Sequence, residues 1–155
     1  MKGDPKILDR LNFLLADELT AISQYMVHSE MCANWEYKRL HEAIEKRAID
    51  EMKHAEKLIA RILFLEGRPI VSKLNEMHVG ADIPGFLTND EAAESGAIRA
   101  YNEAIRLAVD AGDNGTRDLL EAILGDEELH IDWVEAQQDQ IRQMGLQAYL
   151  SEQVG

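Results

Sequence analysis

Apolar residues recur along this chain at steps of three and four, the period of one helix face, in four long runs. The first run, about residues 5–33, opens with Asp4 as a cap and Pro5 at the first helical position. Its stripe is Ile7, Leu11, Leu14, Ala21 and Tyr25. The second, about residues 34–65, carries Ala48, Ala55, Leu58, Ile62 and Leu65, with Gly67 and Pro69 expected to end it. From Glu66 to Ala81 the period is lost, which predicts a long connection of the kind that crosses a bundle from end to end. Asp82 and Pro84 then open a third helix, about residues 82–111, with Leu87, Ala97, Tyr101 and Ala108 on its stripe. After a short turn at Gly112 to Gly115 comes a fourth, about residues 116–144, with Leu120, Leu124, Ile131, Val134 and Ile141 inward. Gly145 breaks it, and residues 146–153 suffice for a short fifth helix. The pattern predicts an all-α fold, a four-helix bundle with a long crossover between helices 2 and 3, as one domain over residues 1–155.

Each long stripe contains one glutamate: Glu18, Glu51, Glu94 and Glu127. Glu18 and Glu94 are 76 residues apart, and so are Glu51 and Glu127, and His54 and His130. The pairs 51/54 and 127/130 are the two Glu-x-x-His motifs of the chain, so a helical hairpin is duplicated. Residues three apart share a helix face, which lets each motif serve one ion. Four buried, unpaired carboxylates would cost several kcal/mol apiece, enough to consume the stability of an ordinary domain. No inward Lys or Arg at matching depth is expected to neutralise them. A pair of divalent cations would, and four carboxylates with two imidazoles suit iron or manganese.

The same interval relates Asp50 to Asp126 and Tyr25 to Tyr101. Each aspartate is expected to orient the histidine of the opposite half, the outer partner that metal-bound imidazoles usually have. For the tyrosines, hydrogen bonding to the carboxylates and plain packing both stand. Met52 breaks the duplication, since position 128 is Glu128. A helical wheel puts it on the outer side of the bundle, beside Ile49 and Ala55, facing the same way as the apolar patch Leu19, Ile22 and Met26. Such a patch suits a subunit interface with Met as gap filler, and a thioether is also an axial ligand of haem iron.

Composition narrows the picture further. Pro numbers 3 of 155 residues, which favours helix, and the single cysteine, Cys32, excludes an intramolecular disulfide and suggests a reducing compartment. No signal-peptide run or membrane-length apolar stretch is present, so a cytoplasmic location is expected. A net charge of −13 argues against nucleic-acid or anionic-membrane partners.

The run Asp50-Glu51-Met52-Lys53-His54-Ala55-Glu56, then Arg61-Ile62-Leu63-Phe64-Leu65-Glu66-Gly67, closely resembles the bacterioferritins. So do Met1-Lys2-Gly3-Asp4 and His130-Ile131-Asp132-Trp133, and the likeness extends over the whole chain. Glu-x-x-His alone is shared with other ferritins and rubrerythrins, whereas Glu-Met-Lys-His is much more specific. The resemblance implies a ferritin-like bundle assembled as a hollow shell of twenty-four subunits in twelve dimers. It implies a ferroxidase that oxidises Fe(II) with O2 or H2O2 at two iron ions per subunit and stores Fe(III) mineral. Glu18 and Glu94 would be terminal ligands, Glu51 and Glu127 bridges, and His54 and His130 would each bind one iron. Haem b would be shared between two subunits, held by Met52 of each, and a ferredoxin would reduce the core in some relatives. Pores between subunits would be acidic, with Glu66, Asp132 and Asp139 as candidates.

Three positions depart from that pattern. Lys46 stands where several relatives have a cavity-wall histidine that binds an inner iron with the residue matching Asp50, and lysine is a poor iron ligand at neutral pH. Glu45 replaces an aromatic bordering the haem, and Arg68 replaces an apolar residue near its outer edge. Two other functions compete with iron storage. A peroxide-reducing diiron protein of rubrerythrin type would need a Cys-x-x-Cys module, for which one cysteine is too few. A purely structural shell subunit would not need the full ligand set.

Overall fold

The computed structural model describes residues 1–155 and contains five helices and no strand. They are α1 (Pro5–Asn34), α2 (Lys38–Phe64), α3 (Ile83–Asp110), α4 (Asn114–Met144) and α5 (Leu146–Ser151). The caps act as the sequence implies: Asp4 accepts from Lys6 N at 2.8 Å and Asp82 from Gly85 N at 2.8 Å. Asp113 caps α4 by accepting from Thr116 N at 3.0 Å, and is held in turn by Arg61 at 2.8 Å. No helix is long and apolar enough to cross a membrane.

The start of α2 corrects the expected boundary at residue 34. Residues 35–37 form a turn in which Tyr37 N donates to Cys32 O and Glu36 N to Ala33 O, with Glu36 at φ 63°. This is a Schellman ending that uses a glutamate in the left-handed region instead of a glycine. The end of α2 repeats it, with Glu66 at φ 60° and Gly67 N donating to Ile62 O at 2.8 Å. Gly67 is therefore not the left-handed residue. A Cβ there would lie 2.5 Å from Leu8 Cδ2, so a larger residue would have to displace that side chain.

The hydrogen bonds of the crossover fix the topology. Ile70 N donates to Asn12, Asn75 N to Thr20, His78 N to Gln24 and Gly80 N to His28, so residues 65–82 climb α1 from its start to its end. Helix α3 thus begins beside the end of α1 and runs back antiparallel to it, while α4 runs antiparallel to α2. Two apolar clusters fill the interior. One, near the start of α1, includes Ile7, Leu11, Leu14, Leu58, Ile62, Leu120 and Ile123. The other, at the far end, includes Leu40, Ile44, Phe86, Leu87, Val134 and Tyr149, the last contributed by α5. On α4, Ile123 is buried, whereas Leu124, Ile131 and Ile141 are only half-buried, a shift of the expected stripe.

Candidate metal centre

Between the two clusters the interior turns polar. Glu18, Glu51, Glu94, Glu127, His54 and His130 are all buried, one glutamate from each long helix and one histidine from each of α2 and α4. Their ligand atoms form two groups, each within 4.8 Å: Glu18, Glu51, His54 and Glu127, then Glu51, Glu94, Glu127 and His130. Glu51 and Glu127 belong to both groups, so two cations placed there would share two carboxylates.

Every one of these six residues has a buried polar atom with no hydrogen-bond partner: Glu18 Oε2, Glu51 Oε1, His54 Nδ1, Glu94 Oε2, Glu127 Oε1 and His130 Nδ1. His54 Nδ1 lies 3.0 Å from Glu127 Oε1, and His130 Nδ1 lies 3.0 Å from Glu51 Oε1, yet neither contact has hydrogen-bond alignment. Orphaned buried atoms are rare in native interiors, because each forfeits its hydration without replacement. Six that converge make a set of donors fitted to cations, with oxygen and imidazole chemistry suited to iron or manganese.

The remaining atoms of the same side chains are occupied, which fixes their direction. His54 Nε2 meets Asp126 Oδ2 at 2.8 Å and His130 Nε2 meets Asp50 Oδ2 at 3.2 Å, each aspartate belonging to the opposite half. An imidazole whose Nε2–H is held by a carboxylate turns the lone pair of Nδ1 inward. Tyr101 donates to Glu18 Oε1 at 2.5 Å, and Tyr25 donates to Glu94 Oε1. Both tyrosines therefore bond the carboxylates across the bundle as well as packing, and leave each Oε2 free.

Burial and the crowding of charge change how tightly several of these groups hold protons. Burial, then the nearby charge of Glu51, pushes Glu18 well above the ordinary carboxylate range, and burial pushes Glu94 up too. Burial opposes a charge on His130, yet its contacts with Glu127, Glu51 and Glu94 push it up to about 12.

Residues 8–144 match the ferritin-like domain. The chain belongs to the ferritin family. It is 39% identical over 149 residues to a bacterioferritin of Rhodobacter capsulatus, covering 96% of this chain and 92% of that one. It is 41% identical to a bacterial ferritin of Synechocystis sp. over 155 residues, 99% of each. A bacterial ferritin of Paramagnetospirillum magnetotacticum is 40% identical over 162 aligned positions, covering all of this chain and 96% of that one.

The expectation of no inward cation is wrong. Arg47 is 4% exposed and donates from Nη2 to Glu94 Oε1 at 2.6 Å, with Nη1 3.9 Å from buried Asp90. Its guanidinium lies over the ring of Tyr25, 4.4 Å from the centroid. Asp90 also accepts from Gln24 at 2.9 Å and meets His28 Nδ1 at 3.1 Å. Because His28 Nε2 accepts from Gly80 N at 3.0 Å, the proton of that neutral ring sits on Nδ1 and points to Asp90. The 76-residue interval would have exposed this network: Gln24, His28, Arg47 and Asp90 pair with Ala100, Ala104, Ile123 and Leu14.

The other candidates lie apart from the centre. Met52 is 45% exposed, with Ile49 and Met26 exposed and Leu19 and Ile22 half-buried on the outer surface. Lys46 is 3.6 Å from Asp50, whose carboxylate also meets His130. Asp139 pairs with Arg142 at 2.6 Å, Glu66 lies 3.5 Å from the N-terminal ammonium, and Asp132 is exposed. A single subunit thus leaves Glu66 at one end of the bundle and Asp132 and Asp139 toward the other. A cavity of about 630 Å³ between α1 and α3, beneath the crossover, reaches Glu18 and Glu94 and is flanked by Asp17, Glu76 and His78.

Proposed function

We propose that this chain stores iron, binding Fe(II) at the buried carboxylate and histidine cluster, oxidising it there, and keeping the Fe(III) product inside a shell of its own copies. One observation carries the reading: six side chains from four helices each aim an unpartnered buried atom at the same space. Bacterioferritin relatives that span nearly the whole chain support it.

Glu51 and Glu127 are the bridging carboxylates, Glu18 and Glu94 the terminal ones, and His54 and His130 bind one ion each. Two neighbouring Fe(II) ions supply one electron apiece, which dioxygen takes up with two protons to leave as hydrogen peroxide; hydrogen peroxide taking the same leaves as two waters. The protein's part is positional. Asp126 and Asp50 hold the imidazole tautomers, and Tyr101 and Tyr25 hold the outer oxygens of Glu18 and Glu94. Four carboxylates balance the charge of two divalent ions and still favour the higher charge of the product.

The shell is formed of twenty-four copies as twelve dimers, with haem b at each dimer interface between the Met52 side chains of the two subunits. Support comes from the exposed apolar strip Met26, Ile49 and Met52, which an isolated subunit would leave in water. The two Met52 thioethers would hold the haem, and neutral sulfur donors would favour its reduced form. Its role is then electron transfer during iron release.

Stopped-flow absorbance of Fe(II) oxidation by the assembled protein tests the centre. The wild type should show a fast phase saturating at two Fe(II) per subunit, absent in Glu127→Ala. A fast phase of unchanged rate in that variant would sink the assignment. The spectrum of reduced protein tests the haem, for which a sharp low-spin band set is expected.

A further inference from the structure

The two halves of the centre carry unequal charge. Glu18 bonds only neutral Tyr101 on its outer oxygen, whereas Glu94 bonds Tyr25 and the buried guanidinium of Arg47 through the same atom, Oε1. Position 123, which corresponds to Arg47, is buried Ile123. Glu51 and Glu127 are common to both halves, so the buried difference between them falls on Glu18 against the pair Glu94 and Arg47, while Lys46, 3.6 Å from Asp50 behind His130, is exposed and screened by water. Asp90 offsets part of the guanidinium charge, but at 3.9 Å from Nη1 against 2.6 Å from Nη2 to Glu94 it is the weaker partner. Arg47 is buried, and the rings of Tyr25 and Trp133 lie against it at 4.4 and 5.6 Å, so water does not screen its charge. An arginine remains protonated at any pH the protein meets.

We propose that Arg47 makes the two cation positions inequivalent, so that the Glu18–His54 half fills first and the Glu94–His130 half holds its ion more weakly. The inference rests on the reading of this cluster as a dinuclear cation site. Arg47 acts here as a positioning residue, through Glu94. It holds that carboxylate by one oxygen and repels a divalent ion that approaches the other. A weaker second position suits a site whose iron is substrate and has to leave.

Cobalt(II) is the probe, because it has no reaction with oxygen to follow and its ligand-field bands report each site. Titration of the metal-free assembled wild type should give two steps with affinities about tenfold apart, a ratio within reach of a buried charge that Asp90 only partly offsets. Crystals soaked with less than one equivalent should show anomalous density beside His54 at higher occupancy than beside His130. The variant Arg47→Met/Asp90→Asn removes both charges while leaving an acceptor for Gln24 and His28. Its weaker step should tighten about tenfold, until the two steps merge, and Arg47→Lys should restore the separation. Equal steps in the wild type, or denser cobalt at His130, would overturn the proposal without any variant having to fold. An unchanged weaker step in a folded double variant would do the same. Failure of the wild type to bind cobalt would instead overturn the dinuclear reading itself, and this inference with it.

Discussion

The half of the bundle around Leu14 and Ile123 and the half around Asp90 and Arg47 occupy corresponding positions of a duplicated hairpin, yet one interior is oil and the other is a salt bridge. In the first half Leu14, Ala100, Ala104 and Ile123 belong to one apolar cluster. In the second, Asp90, Gln24, His28 and Arg47 form a buried polar chain from the crossover to Glu94. The difference follows from what each half must hold. Helix α1 carries the crossover on its outer side, and the backbone amides of His78 and Gly80 need acceptors that alanine cannot supply. Once Gln24 and His28 serve there, Asp90 completes their bonding and Arg47 completes its charge.

Substitutions can break this comparison or sharpen it. The largest effect should come from Glu127→Ala, which strikes both halves at once by removing a shared carboxylate; the fast oxidation phase should vanish. Glu18→Ala should weaken one half only. Both variants relieve buried negative charge, so size-exclusion chromatography should still find an assembled shell.

Next in size are the two interiors themselves. Leu14→Ala should cost about 2–5 kcal/mol through its cavity, with the crossover unaffected. Asp90→Ala should cost about 3–5 kcal/mol, because it leaves Arg47 and His28 without their partner. It should also raise hydrogen exchange at the amides of residues 75–80, which Leu14→Ala should not. Equal exchange in the two variants would show that the polar chain does not reach the loop.

Smaller again are the aspartates behind the histidines. Loss of such a partner weakens metal binding about 10–100-fold, and Asp126→Ala, at 2.8 Å from His54, should cost more than Asp50→Ala, at 3.2 Å from His130. Calorimetry with cobalt(II) in buffers of different ionisation heat would give both affinities and the proton count. Glu18, Glu94 and His130 hold protons more tightly than free side chains, so binding should release protons near neutrality and weaken as pH falls. The mildest change is Met52→Leu on the outer face. It should cost below about 1.5 kcal/mol, keep the shell and the oxidation rate, and abolish the low-spin haem spectrum.

The buried polar cluster was legible in the sequence because burial of charge on a helix face is costly and so demands a reason. Glu18, Glu51, Glu94 and Glu127 interrupt apolar stripes, and the interval of 76 residues identifies them as a set. The helix caps at Asp4 and Asp82 were equally plain. The turn at Trp35 was not, since Glu36 takes a backbone conformation that local preference gives to glycine. Its counterpart 76 residues on is Gly112, at φ 70°, so the repeat carried a signal that the local residues did not. Arg47 escaped for a related reason. A long side chain in a Glu- and Lys-rich helix looks solvated until Asp90 and Glu94, from another helix, are found beside it.

The crossover can also be considered as a measured length of chain. Its pegs on α1 advance eight, four and four residues, from Asn12 to Thr20 to Gln24 to His28. At 1.5 Å of rise per residue those intervals are roughly 12, 6 and 6 Å. The strap covers them with five, three and two residues, from Ile70 to Asn75 to His78 to Gly80. An extended chain reaches at most about 3.3–3.6 Å per residue, so the first two intervals have slack and the last is almost taut. Losing one residue between Asn12's peg and Thr20's would take up slack and leave the bonds in place. Losing Val79 would not, because a single remaining link cannot reach from Gln24 to His28. The loop is thus indifferent to length where it begins and exacting where it ends, and tolerance to deletions along it should fall from Arg68 to Gly80.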